Sequence, residues 1–312
     1  MTTLHVAADR ADRGAACEGV GREDTKLHNT AHAEIVPKEI VLAGRYRLGG
    51  PLGGGSEAYV REAFDLETGA KVAVKIFRNP DPANDVPFRR EMEIHSRLRH
   101  KNIVRVLGSG ATGHHAATEN RNFLVMELVE GRDLRTILDY HPASPRETAE
   151  WMGGIARALA YVHRKGIVHN DIKPGNILVN RAGAQEAAGG HDGIGVAQLT
   201  DFGIALTGNP SAAVSSSGTP HYLSPEEVRG GASTAASDVY SLGLVALECL
   251  TGTKAFPGPP LESMVARTLG EPRIPGTVRR RWSMVLHAMT DPEPAGRPSA
   301  SQVVGMFRRL SW

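Results

Sequence analysis

An α+β fold in two lobes is predicted by three features of the chain. The first third is rich in strand patterns and carries a single helical segment. The remainder is dominated by amphipathic and apolar helical segments. The change of character falls in one place, near Gly131, which suits two packed lobes rather than interleaved βα units.

The elements justify that reading in order. Residues 1–44 mix Ala, Gly, His and charges with no sustained period of 2 or 3.6, and read as a disordered leader ahead of a folded part at 45–312. Arg45–Leu48, Ala58–Phe64 and Lys71–Phe77 read as three strands, joined by a glycine run and by Glu67-Thr68-Gly69. A helix is expected at about 86–98, then strands near 103–108 and 123–128, with 109–121 as a hairpin insertion. These make a first lobe of about 45–129, and a second of about 130–312 follows. Pro145 and Arg146–Lys165 form a long amphipathic helix with Ala, Ile, Leu and Val on one face. Short strands are expected near 177–180 and 196–200, separated by a Gly/Ala-rich insert at Arg181–Gly195. Residues 207–218 are rich in Ser, Gly and Pro, and helices are expected near 237–251, 260–269, 281–290 and 299–310.

Composition narrows the function classes. The 312 residues are 41% hydrophobic and 22% charged, which excludes collagen-like, disulfide-stapled and wholly disordered chains. A formal net charge of +2 with both signs interspersed leaves no electrostatic footprint for nucleic acid. Arg outnumbers Lys by 28 to 8, a bias expected from base composition rather than from one arginine cluster. The two cysteines, Cys17 and Cys249, lie far apart, which suits a reducing, cytoplasmic compartment. No targeting segment is visible. The most apolar run, Leu242–Leu250, contains Gly243 and Glu248 and is far short of the ~18–20 residues of a membrane span.

Three motifs carry chemistry. Leu52-Gly53-Gly54-Gly55-Ser56-Glu57-Ala58-Tyr59-Val60 is a glycine turn between two strands, so its backbone N–H groups can lie over phosphates. A dinucleotide fingerprint needs a helix after the turn, and a P-loop needs Gly-Lys-Ser/Thr; neither is present. Val72-Ala73-Val74-Lys75 ends a strand on a lysine, and 16 residues later Glu91 stands on the expected helix, where each charge could fix the other. His169-Asn170-Asp171-Ile172-Lys173-Pro174-Gly175-Asn176 gathers a base, a charge neutraliser and an oxygen ligand in one loop. Leu199-Thr200-Asp201-Phe202-Gly203 then ends a strand on a carboxylate. Asn176 and Asp201 are hard oxygen ligands of the kind Mg²⁺ prefers, with substrate phosphates completing its shell.

In this order, and together with Gly218-Thr219-Pro220, Ser224-Pro225-Glu226, Ser237–Gly243 and Gly296-Arg297-Pro298, these motifs resemble the eukaryotic-type (Hanks-type) protein kinases over about Arg45 to Leu310. The Asp238 segment looks closest to the bacterial serine/threonine kinases. The resemblance implies the two-lobed protein-kinase fold and Mg²⁺-dependent transfer of the γ-phosphoryl of ATP to serine or threonine of a protein substrate. Lys75 would contact the α/β-phosphates and pair with Glu91. Asp171 would accept the hydroxyl proton, Lys173 would neutralise the moving phosphoryl, and Asn176 and Asp201 would hold Mg²⁺. The adenine would lie between Val60 and Ala73 on one side and Leu178 on the other. Met126 would back the pocket, Glu127 and Leu128 would offer backbone hydrogen bonds, and Asp133 would meet the ribose. Leu52, Gly53, Gly54, Gly55 and Ser56 would cover the phosphates. Thr219 would tie the substrate loop to Asp171 and Lys173, and Glu226 would pair with Arg297.

The chain departs from the family pattern at four places. Ala58 replaces the third loop glycine, which is tolerable if its φ is negative. Asn170 replaces an arginine that in many relatives meets an activation-loop phosphate, and Leu206 stands where a basic side chain often helps. Activity independent of phosphorylation at Ser215–Ser217 is therefore expected. His95 occupies a position usually apolar, stacked near Phe202, and is expected to be neutral and packed. Two alternatives stand beside the active kinase: a catalytically weak kinase-fold scaffold (a pseudokinase) and a small-molecule phosphotransferase. The latter generally lacks the Gly218–Glu226 loop and the Asp238 helix. No motif names the substrate, the trigger or the oligomeric state.

Overall fold

The computed structural model describes residues 39–55, 58–78, 86–112, 121–180, 193–202 and 220–311, apart from the side chains at 86, 87, 90 and 91. The first lobe is a six-stranded antiparallel sheet with one helix. Strands β1 (Val41–Leu42), β2 (Tyr46–Gly54), β3 (Ala58–Asp65), β4 (Lys71–Phe77), β5 (Val106–Ala111) and β6 (Asn122–Glu127) lie in the order β1-β2-β3-β4-β6-β5. Helix α1 (Val86–His95) follows β4.

Alternation in β4 and β6 divides the core of this lobe. Val72, Val74 and Ile76 pack with Phe123 and Val125 on one face. Ala73 packs with Leu124, Met126, Val104 and Val106 on the other. With a side-chain period of two, Lys75 projects from the same face as Ala73.

The second lobe starts with β7 (Gly131–Asp133) and α2 (Leu134–Leu138). Helix α3 (Pro145–His163) begins with a capping box between Ser144 and Glu147 and has Pro145 in its first turn, where a missing N–H costs nothing. Strands β8 (Ile177–Asn180) and β9 (Val196–Leu199) complete a small sheet in the order β7-β8-β9. A Cβ on Gly131 would stand 2.0 Å from the Val179 carbonyl oxygen, so only glycine allows β7 to approach β8 this closely. Helices α4 (Pro225–Val228), α5 (Ala235–Thr251), α6 (Pro260–Leu269), α7 (Arg280–Met289) and α8 (Ala300–Leu310) follow. Helix α5 ends at Gly252, whose φ of 69° is the left-handed stop that glycine supplies. The core of this lobe joins Met152, Ile155 and Leu159 of α3 to Leu242 and Val245 of α5, with Leu286 and Phe307 closing it. Among the described residues, no helix is long and apolar enough to cross a membrane.

The sequence reading and the structure differ at short elements and at one strand. The folded chain begins ahead of Arg45: Val41 and Leu42, inside the expected leader, pair with Arg47 and Tyr46, and Leu42 is buried. Two residues show no periodicity, so this strand had no sequence signal. The strand expected at 103–108 runs instead from Val106, because Ile103 and Val104 are drawn to β9. Ile103 bridges Leu199, and the Val104 N–H donates to the Leu199 carbonyl at 2.9 Å. Helix α1 stops at His95, three residues before its expected end. Residues 1–38, 113–120, 181–192 and 203–219 lie outside the described residues, and with them most of the leader, the His114-His115 hairpin and the 181–195 insert.

Candidate active site

The catalytic-loop motif spans the segment between α3 and β8, and its backbone is held from below by one carboxylate. Asp238, in the first turn of α5 and 1% exposed, accepts the His169 N–H at 2.8 Å and the Asn170 N–H at 2.9 Å. Its Oδ2 also lies 2.8 Å from His163 Nε2. Helix α5 thus supplies both a rigid platform and the acceptor that aligns two consecutive amides. Asn170 takes φ = 69°, an uncommon conformation for a residue with a side chain. The paired amides of His169 and Asn170 hold it there.

His169 connects this loop to the Asp201 segment. Its Nδ1 accepts the Asp171 N–H at 3.2 Å, so the ring proton sits on Nε2 and donates to the Thr200 carbonyl at 3.1 Å. Burial pushes its pKa below the usual imidazole value, which agrees with a neutral ring of one tautomer. Neither His169 nor Asp238 received a role from the sequence alone. Their signal was burial and reach across the fold, which spacing does not carry.

The Asp171 carboxylate is tied on one oxygen only. Oδ2 accepts from Lys173 Nζ at 2.7 Å and from Asn176 Nδ2 at 2.8 Å. Among the described residues Oδ1 receives no hydrogen bond, and the side chain is 21% exposed. Asn176 also donates from Nδ2 to the Asp171 carbonyl at 2.9 Å. Two oxygen acceptors on that side fix the amide's orientation, so Asn176 Oδ1 faces away as an acceptor.

Lys75 and Asp201 meet across the lobes, with Nζ 2.9 Å from Oδ1. Burial alone would raise the Asp201 pKa. The Lys75 ammonium overrides it, and the carboxyl lies below its ordinary range. Asp201 has φ = 54°, so the strand turns sharply here and swings the carboxylate towards Lys75 while Phe202 enters the core. The backbone of Glu91 lies on α1; its side chain is outside the described residues.

The residues expected around an adenine gather in one apolar cluster. Val60, Ala73, Met126, Leu128 and Leu178 all belong to it, and so does Val129, which the sequence reading did not single out. The Glu127 N–H donates to the Arg105 carbonyl, and its Oε1 accepts from Arg105 N at 3.0 Å and Gln198 Nε2 at 2.9 Å. Asp133 caps α2, accepting from Thr136 N at 2.9 Å and from Thr136 Oγ1 at 2.6 Å. Leu52, Gly53 and Gly54 end β2, and the Gly55 N–H closes the turn on the Ala58 carbonyl at 2.8 Å. Ala58 is not among the residues of positive φ and pairs regularly with Phe77, so its methyl costs the turn nothing. Ser56 and Thr219 lie outside the described residues.

Beyond the loop, Arg297 reaches Glu226 with both guanidinium arms, at 2.7 and 2.8 Å. It also donates to the Ala236 and Asp291 carbonyls and lies 4.8 Å over the Tyr240 ring. Among the described residues no set of three or more His, Cys, Asp or Glu side chains is arranged to hold a metal unaided. The donor set here is Asn176 Oδ1 with the Asp201 carboxylate. It fits a hard cation that takes its remaining ligands from phosphate and water.

Comparisons with known proteins agree with this geometry. The protein kinase domain family matches residues 46–306. Serine/threonine-protein kinase PrkC of Bacillus subtilis is 37% identical over 250 residues, covering 78% of this chain and 35% of its own length. Serine/threonine-protein kinase PknB of Mycobacterium tuberculosis is 37% identical over 249 residues, with 76% and 37% covered. Serine/threonine-protein kinase pkn2 of Myxococcus xanthus is 36% identical over 236 residues, with 72% and 26% covered. The aligned region spans roughly a third of the length of these curated relatives. With its two lobes, its Lys75–Asp201 contact and its Asp171 loop in place, the chain belongs to the protein kinase domain family.

Proposed function

We propose that this chain transfers the γ-phosphoryl of ATP to serine or threonine hydroxyls of a protein substrate, with Mg²⁺ as the metal. The observation that carries the reading is the state of Asp171. One carboxylate oxygen is immobilised by Lys173 and Asn176, and the other receives no hydrogen bond among the described residues. A hydroxyl delivered to that oxygen gives up its proton as its oxygen bonds to phosphorus, while the bond to the β-phosphate oxygen breaks and ADP departs. Lys173 stands beside the carboxylate, where its ammonium offsets charge on the moving phosphoryl. Lys75 orients the phosphates, and Asn176 and Asp201 would hold the cation, which when bound draws charge from the phosphate oxygens. The apolar cluster of Val60, Ala73, Met126 and Leu178 gives the adenine its faces.

Serine/threonine acceptors are favoured by Lys173 and by the relatives, which are named serine/threonine-protein kinases. Independence from activation-loop phosphorylation belongs to the same proposal. Asn170 offers a neutral amide where a guanidinium would be needed to clamp a phosphate. The test is transfer from radiolabelled ATP to protein in a lysate, with Asp171→Asn as the blank and Mg²⁺ withheld in a parallel arm. Phosphoserine or phosphothreonine that disappears in both controls supports the reading. Label confined to phosphotyrosine, or persisting in Asp171→Asn, overturns it.

A further inference from the structure

Helix α6 meets its lobe with a polar face. Its two buried residues are Ser263 and Arg267, whereas Leu261, Val265 and Leu269 are exposed. At 3.6 residues per turn the two sets stand on opposite faces, the reverse of an ordinary amphipathic helix. What fastens the inner face is hydrogen bonding centred on Arg267. Its Nη1 donates to the Leu223 carbonyl. Its Nη2 donates to the His221 carbonyl and to Ser263 Oγ, each at 2.8 Å, and its Nε donates to the Ser263 carbonyl at 3.1 Å. The guanidinium also lies 5.3 Å over the Phe256 ring. Among the described residues no carboxylate hydrogen-bonds to it, so a buried charge is solvated by carbonyl dipoles. Burial draws its pKa down to about 10, which leaves it charged at neutral pH.

The carbonyls that Arg267 grips lie in the substrate loop, between its short 3₁₀ turn (Pro220–Tyr222) and α4. The carbonyl between them, that of Tyr222, accepts from Ser241 Oγ of α5 at 2.6 Å. Three consecutive carbonyls are thus held by side chains, the outer two by α6 and the middle one by α5. His221 Nδ1, 3.0 Å from Ser263 Oγ, is a second tie to α6. A guanidinium offers its donors in a fixed planar fork, so one side chain sets the direction of two carbonyls at once; a lysine ammonium is a single point.

We propose that Arg267 is a positioning residue for the protein acceptor: it locks the segment from His221 to Leu223 onto α6, so that the loop presents the acceptor hydroxyl in register with Asp171. The residues assigned to ATP lie on other elements, so loss of the lock falls on the acceptor and spares the nucleotide. The anchoring stands on the hydrogen bonds alone, and only its effect on transfer rests on the kinase reading above.

The experiment compares the full chain with Arg267→Met, Arg267→Lys and Ser263→Ala, with myelin basic protein as the acceptor. Three quantities are read: kcat/KM for the acceptor, KM for ATP, and hydrogen exchange of the amides at 221–224. Arg267→Met is expected to lower kcat/KM for the acceptor about 10- to 100-fold, with KM for ATP within about twofold of the parent. Arg267→Lys keeps the charge but not the fork and should lose about three- to tenfold. Ser263→Ala removes one acceptor of the guanidinium and should lose about two- to fivefold. The 221–224 amides should exchange faster in the same order. If Arg267→Met does not fold, the lysine and alanine variants carry the test. The inference fails if the folded variants exchange these amides no faster than the parent. It fails equally if kcat/KM for the acceptor stays within about twofold, or if KM for ATP rises as far as acceptor use falls, since Arg267 would then be a structural support for the whole site. If exchange quickens as expected while the parent itself transfers no phosphate, the kinase reading fails and the anchoring stands.

Discussion

Asp171 and Asp238 serve the same loop from opposite ends and live in opposite surroundings. Asp238 is 1% exposed, and its two oxygens are engaged by two backbone amides and one imidazole. Asp171 is 21% exposed, with one oxygen immobilised and the other without a hydrogen bond among the described residues. A carboxylate that holds backbone in place is saturated with donors. One that takes a proton in the proposed reaction keeps, among the described residues, an oxygen without a donor. The same contrast runs outward from the pair. The Glu226–Arg297 pair is bidentate and its guanidinium is further tied to backbone carbonyls. Lys75 and Asp201 meet through one nitrogen and one oxygen, and both have further work with phosphate and metal in the proposed reaction.

The sharpest way to break this comparison is to neutralise one member at a time. Asp171→Asn is expected to lower phosphoryl transfer about 10³-fold, ~4 kcal/mol of barrier, while the melting temperature stays near the parent's. Lys75→Met should behave likewise. Loss of folding in Asp171→Asn, seen as a collapsed melting transition, would show that it too is an anchor. Arg297→Met is the converse. It leaves the Glu226 carboxylate to the Ser237 hydroxyl and frees the Ala236, Asp291 and Pro292 carbonyls, and should cost about 3–4 kcal/mol in denaturant unfolding, with activity falling only as far as folded protein does. Asp238→Asn keeps one acceptor oxygen for the loop amides but replaces the other with a donor. About 1–3 kcal/mol is expected, together with faster hydrogen exchange at the amides of His169 and Asn170.

Acid sharpens the comparison on the other side of the loop. Burial lowers the His95 pKa from the ordinary imidazole value of 6.5 to about 4; Asp201 and a hydrogen bond to the Val104 backbone pull it up, and His169 and Lys75 push it down. Between those two pH values the unfolded chain binds a proton that the folded chain refuses. The His95 contribution is therefore complete above pH 6.5 and lost as the pH falls towards 4, with a slope approaching 1.4 kcal/mol per pH unit, an order-of-magnitude figure that is roughly the linkage limit for one proton. His169 is shifted in the same direction and adds to the parent's slope. Unfolding of parent and His95→Leu measured across this range should diverge progressively on the acid side; parallel curves would show that His95 does not titrate there. The smallest effect expected is at the serines. A Ser215/Ser216/Ser217→Ala variant, purified after phosphatase treatment, should retain activity within about threefold of the parent, under ~0.7 kcal/mol. A hundredfold loss, restored by phosphorylating one of the serines in the parent, would show that some basic group other than residue 170 receives the phosphate.

Long elements were legible because their signals are periodic. Lys71–Phe77 alternates, and Pro145–His163 carries its own capping box and an apolar face, so strand and helix follow from local chemistry. Val41–Leu42, Gly131–Asp133 and Pro225–Val228 are too short to show a period, and they exist because neighbours pair or pack with them. In the site, Lys75, Asp171, Asn176 and Asp201 were marked by residue type and spacing. Their unequal hydrogen bonding was not, since it depends on which donors arrive from other parts of the chain.

The amino-acid order by itself determined the α+β alternation, the two lobes and the set of polar side chains offered to the site, because those follow from hydrophobic period, turn residues and short motifs. Tertiary structure alone decided that Asp238 holds the catalytic loop from 67 residues beyond Asp171, by the numbering of the two. It alone decided that Ile103 and Val104 bind β9 rather than extend β5. It also decided that His169, buried against Phe202, has both ring nitrogens hydrogen-bonded, one to the Asp171 amide and the other to the Thr200 carbonyl. Hydrogen-bond satisfaction is a property of the atoms that surround a group after folding, and a side chain's neighbours across the fold cannot be counted along the chain.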